Sequence, residues 1–233
     1  ACAMSAHVGT AQPEKAAAVQ TDKAAIVQLK PSAAQTQAAL WASRVLARYH
    51  YKATPLDDAM SAKIFDAYFK ALDSEKLYFT QADIDGFAPV RNKLDDAINN
   101  EDLTVPFQIY NVYQQRFFDR MAYARELLKG KFDFSTDETL QIDREKAAWA
   151  RNEDEAKDLW RKRVKNDWLR LKLAGKDDKS IRETLDKRYE GYQSRLKKLN
   201  NEDVFQMFMN AYAMAIEPHT NYLGPRSAEN FDI

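Results

Sequence analysis

From Ser32 onward, apolar side chains recur at the three-to-four spacing of an α-helix almost without interruption. Trp41, Val45 and Tyr49 mark a first helix. Thr54-Pro55 opens a second, with Thr as cap and Pro at the first helical position. Its buried stripe is Leu56, Met60, Ile64, Tyr68 and Leu72, four residues apart throughout. Thr80 starts a third, Asp83 completing a near capping box and Ile84, Phe87, Leu94 and Ile98 facing inward, until Pro89 breaks or kinks it. Thr104-Val-Pro106 begins a long helix with Ile109, Tyr113, Phe117, Met121 and Leu128 on one side, ending at Gly130.

Between Lys131 and Arg151 the period fails. Phe132, Phe134, Leu140, Ile142 and Trp149 lie in an irregular connector expected to pack its aromatics onto the helices. Asn152 then caps a helix through Leu159, Trp160, Val164, Trp168 and Leu171, stopped by Gly175. Asp178 starts the next, with Ile181, Leu185, Tyr189, Tyr192, Leu196 and Leu199. Asn200-Asn201 interrupts before a final helix on Val204, Phe205, Phe208, Tyr212 and Ile216. No run alternates as a half-buried strand does. The pattern predicts an all-α fold, a bundle of about seven helices with an irregular aromatic-containing connector in the middle.

The chain's end breaks this rhythm. In Asn210-Ala-Tyr-Ala-Met-Ala-Ile-Glu-Pro-His-Thr-Asn-Tyr-Leu-Gly-Pro-Arg226, Pro218 stops the helix and a Thr-Asn turn follows. Tyr222 and Leu223 are expected to anchor this exit on the bundle, while Phe231-Asp-Ile233 leads away from it. So well-marked an exit, so near the last residue, reads as a cut at a domain boundary. The expected division is a leader over 1–31, a helical domain over 32–223 and an exit segment over 224–233. The leader has no aromatic and reads as mobile. Ala1-Cys2-Ala3 fits the small-x-small end of a secretory signal peptide, a lipoprotein acylation site at Cys2, or simply an Ala-rich chain end.

Composition allows a full core without staples: 233 residues, 45% hydrophobic and 12% aromatic, with a single cysteine and hence no disulfide framework. No apolar run approaches the ~20 residues of a membrane helix. Lys+Arg and Asp+Glu number 35 each, which argues against a chain-wide basic surface for nucleic acid. The bias is local. Residues 151–200 hold 16 Lys/Arg against 10 Asp/Glu, a net of +6, including Arg161-Lys162-Arg163-Val-Lys165 beside Trp160 and Trp168. A basic groove with aromatics binds single strands. Here, however, Glu153 with Lys157, Asp158 with Lys162, Asp178 with Arg182 and Glu183 with Lys187 have the four-residue spacing of a solvated helix face, the stronger reading.

Candidate chemistry is thin. His7, His50 and His219 lie far apart in no ligand spacing, so no metal is expected. Asp57-Asp58 and Glu101-Asp102 are adjacent pairs suited to helix starts rather than to acid–base work. Ser227 lies near His219, but nothing marks a base held in order or an oxyanion donor pair, and His219 reads as a turn residue. There is no Gly-rich phosphate loop or Gly-x-Ser-x-Gly elbow. No catalytic, cofactor-binding or metal residue is assigned.

One ordered set of segments carries a resemblance. Ser61-Ala-Lys-Ile-Phe-Asp66, Leu72-Asp73, Asp143-Arg-Glu-Lys-Ala147 with Trp149, Leu171-Lys-Leu-Ala-Gly-Lys176, Ile181-Arg-Glu-Thr-Leu185, Glu202-Asp-Val-Phe205 and Pro218-His-Thr-Asn-Tyr-Leu223 together resemble the N-terminal helical domain of bacterial periplasmic tail-specific proteases, the C-terminal processing peptidases. The likeness covers Ser32 to Ile233. Two positions depart from the family pattern: Glu217 stands in place of Asp before Pro-His, and Gly224 in place of Ser.

The resemblance implies a PDZ domain and a Ser/Lys-dyad protease core elsewhere in the same protein, acting in the periplasm on substrates with apolar C-termini. It also implies that this domain is non-catalytic, shapes the substrate enclosure and docks an adaptor, a helical-repeat lipoprotein in relatives. No family catalytic residue falls within this chain. A free-standing helical adaptor and, behind it, a nucleic-acid binder are the competing classes.

Overall fold

A computed structural model describes residues 26–52 and 54–224. Cys2, His7, Ser227 and the Phe231–Ile233 exit lie outside the described residues. Among those described there are eight α-helices and no strand. They are α1 (Ala33–Tyr49), α2 (Asp58–Leu72), α3 (Gln81–Phe87), α4 (Leu94–Asn99), α5 (Thr104–Leu127), α6 (Glu153–Leu173), α7 (Asp178–Lys197) and α8 (Asn201–Ile216). The all-α expectation holds. The count exceeds seven because the third predicted helix is two: α3 ends in a 3-10 turn, Ala88–Val90, built around Pro89, and the chain restarts at Leu94.

Six of the eight helix starts carry a side-chain cap; α4 and α5 start without one. Thr80 and Asp83 form a reciprocal capping box on α3, as do Asn200 and Asp203 on α8 and Ser32 and Gln35 on α1. Asn152 caps α6 through the Glu155 amide. α2 begins later than Thr54-Pro55 suggests. Asp57 is its cap, accepting from Met60 N, while the Thr54 hydroxyl donates back to the Lys52 carbonyl. A free Asp oxygen three residues upstream of the Met60 amide satisfies an orphan donor that Thr54 lies too far back to reach.

α6 ends in a Schellman motif. Lys176 N donates to Leu171 O at 3.1 Å and Gly175 N to Lys172 O at 3.0 Å, with Gly175 at φ +81°.

Two hydrophobic clusters form the interior. The first gathers α1, α2, α4, the start of α5 and α8 around Ile64, Tyr68, Phe107, Tyr110, Phe208 and Tyr212. The second gathers the rest of α5 with α6 and α7 around Met121, Trp160, Val164, Trp168, Ile181 and Leu185. α5, 24 residues and about 36 Å long, runs through both. Residues 77–79 link them a second time: Leu77 is buried in the second cluster, Phe79 in the first. Between the two, Tyr78 meets the rings of Tyr113, Phe117 and Trp160.

The predicted faces of α2, α5, α6, α7 and α8 point inward largely as expected, although Tyr192 is 37% exposed. α1 does not follow its apolar stripe. Trp41, Val45 and Tyr49 are 63%, 53% and 72% exposed, while Gln35, Ala39, Leu40 and Ser43 face the core. Its inward side chains at Ala39 and Ser43 are small enough for the backbone to come close, and the Ser43 hydroxyl is satisfied by the Leu40 carbonyl.

The last residues of the leader stretch are attached. Leu29 N donates to Asn111 Oδ1 and Asn111 Nδ2 to Leu29 O, each at 3.0 Å, pinning this segment along α5. In the connector, Phe132 packs on Trp168 and Trp149 on Phe69, but Phe134 and Ile142 are exposed. One isolated bridge, Thr80 with Ala150, brings the connector's end to the start of α3.

Candidate functional site

Three places concentrate polar chemistry. The first is the turn at Asp73, which caps no helix start yet is almost fully buried. Its carboxylate accepts from Leu77 N at 2.7 Å, Tyr78 N at 3.0 Å, Phe79 N at 3.1 Å and Trp149 Nε1 at 3.2 Å. Burial pushes this carboxyl above the usual range, against the pull of those four donors. Trp160 Nε1 donates to the Leu77 carbonyl at 2.8 Å, so both polar groups of Leu77 are used. The arrangement fixes 77–79 where the two clusters meet; it presents no reactive atom to solvent.

The second is a charge cluster between α3, α5 and α6. Arg116 grips Asp83 through Nε and Nη2, and reaches Glu153 at 3.2 Å. Arg120, 2% exposed, holds Glu153 at 2.6 Å and donates to the Tyr78 carbonyl. Burial opposes ionisation of Asp83, yet the Arg116 and Thr80 donors outweigh it and hold the carboxyl low. Hydrogen bonds from Arg120 do the same for Glu153. With every acid paired to an arginine, this is an ion-pair network without a free base.

The third is the exit after α8. Glu217 caps the helix in extended geometry, its N–H still bonded to Ala213 O, and its carboxylate accepts from His219 N at 2.8 Å and from the Thr220 hydroxyl. His50, the residue that ends α1, lies with Nε2 2.9 Å from Thr220 Oγ1. This pairing has the look of a nucleophile and its base. The hydroxyl's own proton points elsewhere: Thr220 Oγ1 donates to the Glu217 carboxylate, while His50 Nδ1 lies 3.1 Å from Lys52 N and 3.4 Å from the Lys52 carbonyl. Thr220 is thus clasped rather than activated. His219, expected to be a turn residue, is one, with its side chain in solvent.

Beyond the turn, Tyr222 N donates to Asn210 Oδ1 at 2.8 Å and its ring meets Phe205 edge-on at 5.5 Å. Tyr222 anchors as expected. Leu223 does not; it is 43% exposed, because neighbouring residues of an extended chain point to opposite sides.

The basic span of 151–200 is largely occupied. Glu138 of the connector pairs with both Arg161 and Lys165, which push its carboxyl down to about 2, and Asp158 pairs with Arg161 and Lys162. Arg163 lies over the Trp160 ring, and Trp160 and Trp168 are buried in the second cluster. Of the four expected acid–base pairs, Asp158 with Lys162 forms. Glu153 instead serves the arginines of α5, Asp178 pairs with Lys172, and Arg182 donates to the carbonyls of Leu128 and Gly130, capping the end of α5.

Open cavities of about 690 and 290 Å³ flank Glu138 and Lys165, both with mixed linings, Leu127 and Phe132 beside charged side chains in the larger and Phe134 and Ile142 beside Asp137 and Lys162 in the smaller. Among the described residues, no group of three His, Cys, Asp or Glu could hold a metal ion, and no helix is long and apolar enough to cross a membrane.

A family model described as the tail-specific protease N-terminal domain matches residues 42–226. The chain is also 42% identical, over 188 residues and 80% of its length, to a tail-specific protease of Haemophilus influenzae. That match spans 27% of the relative, so the chain covers about a quarter of the length of the curated protein it resembles.

Proposed function

Since the chain belongs to the tail-specific protease family, as its N-terminal domain, we propose that it is the non-catalytic front part of a serine endopeptidase of the cell envelope. In this reading a PDZ domain and a Ser/Lys dyad lie elsewhere in the same protein, in the periplasm. The helical domain shapes the enclosure that receives substrates with apolar C-termini and docks a helical-repeat adaptor. The observation that carries the reading is the pairing of a family match over 42–226 with the state of the exit clasp. There, the described residues bring a hydroxyl to an imidazole, and that hydroxyl donates to the Glu217 carboxylate. A domain whose best hydroxyl–imidazole pair is spent on holding a turn supports an architectural role.

The test uses an unfolded protein ending in an apolar tail, and the same protein ending in two aspartates. Full-length protein should cleave the first much faster than the second, and the 233-residue chain alone should cleave neither. Cleavage by the isolated chain that survives repurification and vanishes on a substitution within it would overturn the assignment.

A further inference from the structure

The Asp73 turn borders a cavity of about 480 Å³, open between α2, α3 and the end of the connector. That is within the size of small-molecule sites, about 300–1,000 Å³. Phe65 and Phe69 of α2 pack with ring centroids 4.7 Å apart, and Trp149 stands edge-on to Phe69 at 6.4 Å. With Ile84 they supply its apolar lining.

Four cations line the same cavity, Lys70, Lys76, Arg91 and Lys146, against three acids, Asp66, Asp73 and Glu145. The acids are all taken. Asp66 pairs with Arg91, Glu145 with Lys70 at 2.7 Å, and the Asp73 oxygens accept from four N–H groups. Lys76 is left over. Its ammonium donates to the Ala147 carbonyl and lies 5.1 Å from the centroid of the Trp149 ring, yet it forms no ion pair among the described residues. Carbonyl and ring hold this charge in place without neutralising it. The Ser74 hydroxyl and the Lys146 ammonium, also on the cavity, have no protein partner among the described residues.

The backbone at Lys76 is itself unusual. Lys76 N donates to Asp73 O at 3.1 Å, closing a four-residue turn, and φ is +52°, a left-handed geometry that costs energy for any residue with a Cβ. Glycine would make the same turn without that cost. A lysine in its place, with its head fixed over a tryptophan, points to a use for the ammonium.

We infer that this cavity binds a carboxylate on an apolar body, the carboxylate on Lys76, Ser74 and Lys146 and the body against Phe65, Phe69 and Trp149. The C-terminal residue of a polypeptide and a free aliphatic or aromatic acid share that chemistry. The site belongs to the described residues alone, so it stands whether or not the full-length protein cleaves tailed substrates.

The test follows the Trp149 indole N–H by heteronuclear NMR in the 233-residue chain, the signal assigned by its loss in Trp149→Phe. The probes are acetyl-leucyl-leucine, its C-terminal amide, and phenylbutyrate. Both acids should shift the signal saturably, and the amide should bind at least about tenfold more weakly. Lys76→Gln should weaken both acids by about tenfold or more. Ser74→Ala with Lys146→Gln alters two exposed side chains and should weaken them by about threefold or more. Circular dichroism checks each variant, and if Lys76→Gln loses its helical signal the double variant decides.

Tighter binding of the dipeptide identifies a chain terminus as the ligand, and tighter binding of phenylbutyrate a free acid; either order supports the site. The absence of a saturable shift with every probe overturns the inference. So does an amide that binds as well as its acid, or a double variant that binds the acids as well as the parent does.

Discussion

Asp73 offers the sharpest test of how the two clusters are held together. Truncation to Ala removes the acceptor of four N–H groups, of which those of Leu77 and Phe79 are on buried residues and those of Tyr78 and Trp149 on partly buried ones. A buried donor left unsatisfied costs about 1–3 kcal/mol, less where water can reach it, so Asp73→Ala should cost about 3–8 kcal/mol. Against a total stability of about 5–15 kcal/mol, the upper half of that range leaves the domain largely unfolded.

Asp73→Asn differs in a way the geometry dictates. Its one oxygen can take the Oδ2 position and keep Tyr78, Phe79 and Trp149, but its amide then faces the Leu77 N–H, donor against donor. One lost partner implies about 1–3 kcal/mol.

pH adds a second signature. Because burial raises this carboxyl on folding, its contribution is fully present below the ordinary carboxylate range and is lost as pH rises through that range toward the folded value. Asn lacks that slope. Urea unfolding at several pH values, with m unchanged between variants, reads all three effects. If Asp73→Ala costs less than about 1 kcal/mol, or if Asn is as damaging as Ala, the account of this turn is wrong.

Two further outcomes follow from the geometry. Glu153→Gln should lower stability by about 1–3 kcal/mol at pH 7, since Arg120 loses its charged partner. Because the Glu153 carboxyl is held low by Arg120, its contribution exists above the unfolded value and fades as pH falls; the gap between thermal melts of wild type and variant should narrow as pH falls below the ordinary carboxylate range, and a constant gap would refute the assignment. Gly175→Ala meets open space but must keep φ +81°, so a loss of about 1–2 kcal/mol is expected with unchanged packing, and a neutral result would show that the Schellman turn relaxes freely.

The helical period carried most of the architecture. α2 and α5 to α8 were legible because large apolar side chains at four-residue spacing have one way to be buried in a bundle. Thr80 and Asn152 were legible because capping is local; Asn200, read as an interruption, turned out to be the cap of α8. α1 is the exception. Periodicity reports that a helix has an apolar face, not that the face is covered, and here Ala39 and Ser43 face the core while Trp41 does not.

Long-range polar pairing was equally hidden. Nothing near Glu153 in sequence announces that Arg116 and Arg120, more than thirty residues earlier, will claim it before Lys157 does. Asp73 is a single acid after a helix, and the donors that make it a hub come from a turn and from a connector 76 residues away. The basic run at Arg161–Lys165 loses its apparent readiness for nucleic acid once Glu138, from a segment without period, lies across it.

The division of the interior into two clusters also sets an order of events during synthesis. The second cluster draws mainly on residues 117–196, nearly contiguous in the chain, and can close once α7 has left the ribosome. The first needs α2 against α8, partners separated by some 140 residues, so α1 and α2 are made early and wait. Until α8 emerges, Tyr68 lacks the Phe208 ring that packs edge-on against it, whereas Phe69 already has Phe79, Phe87 and Trp149. The His50–Thr220 clasp can close only once α8 is in place, and it joins the end of α1 to the turn after α8.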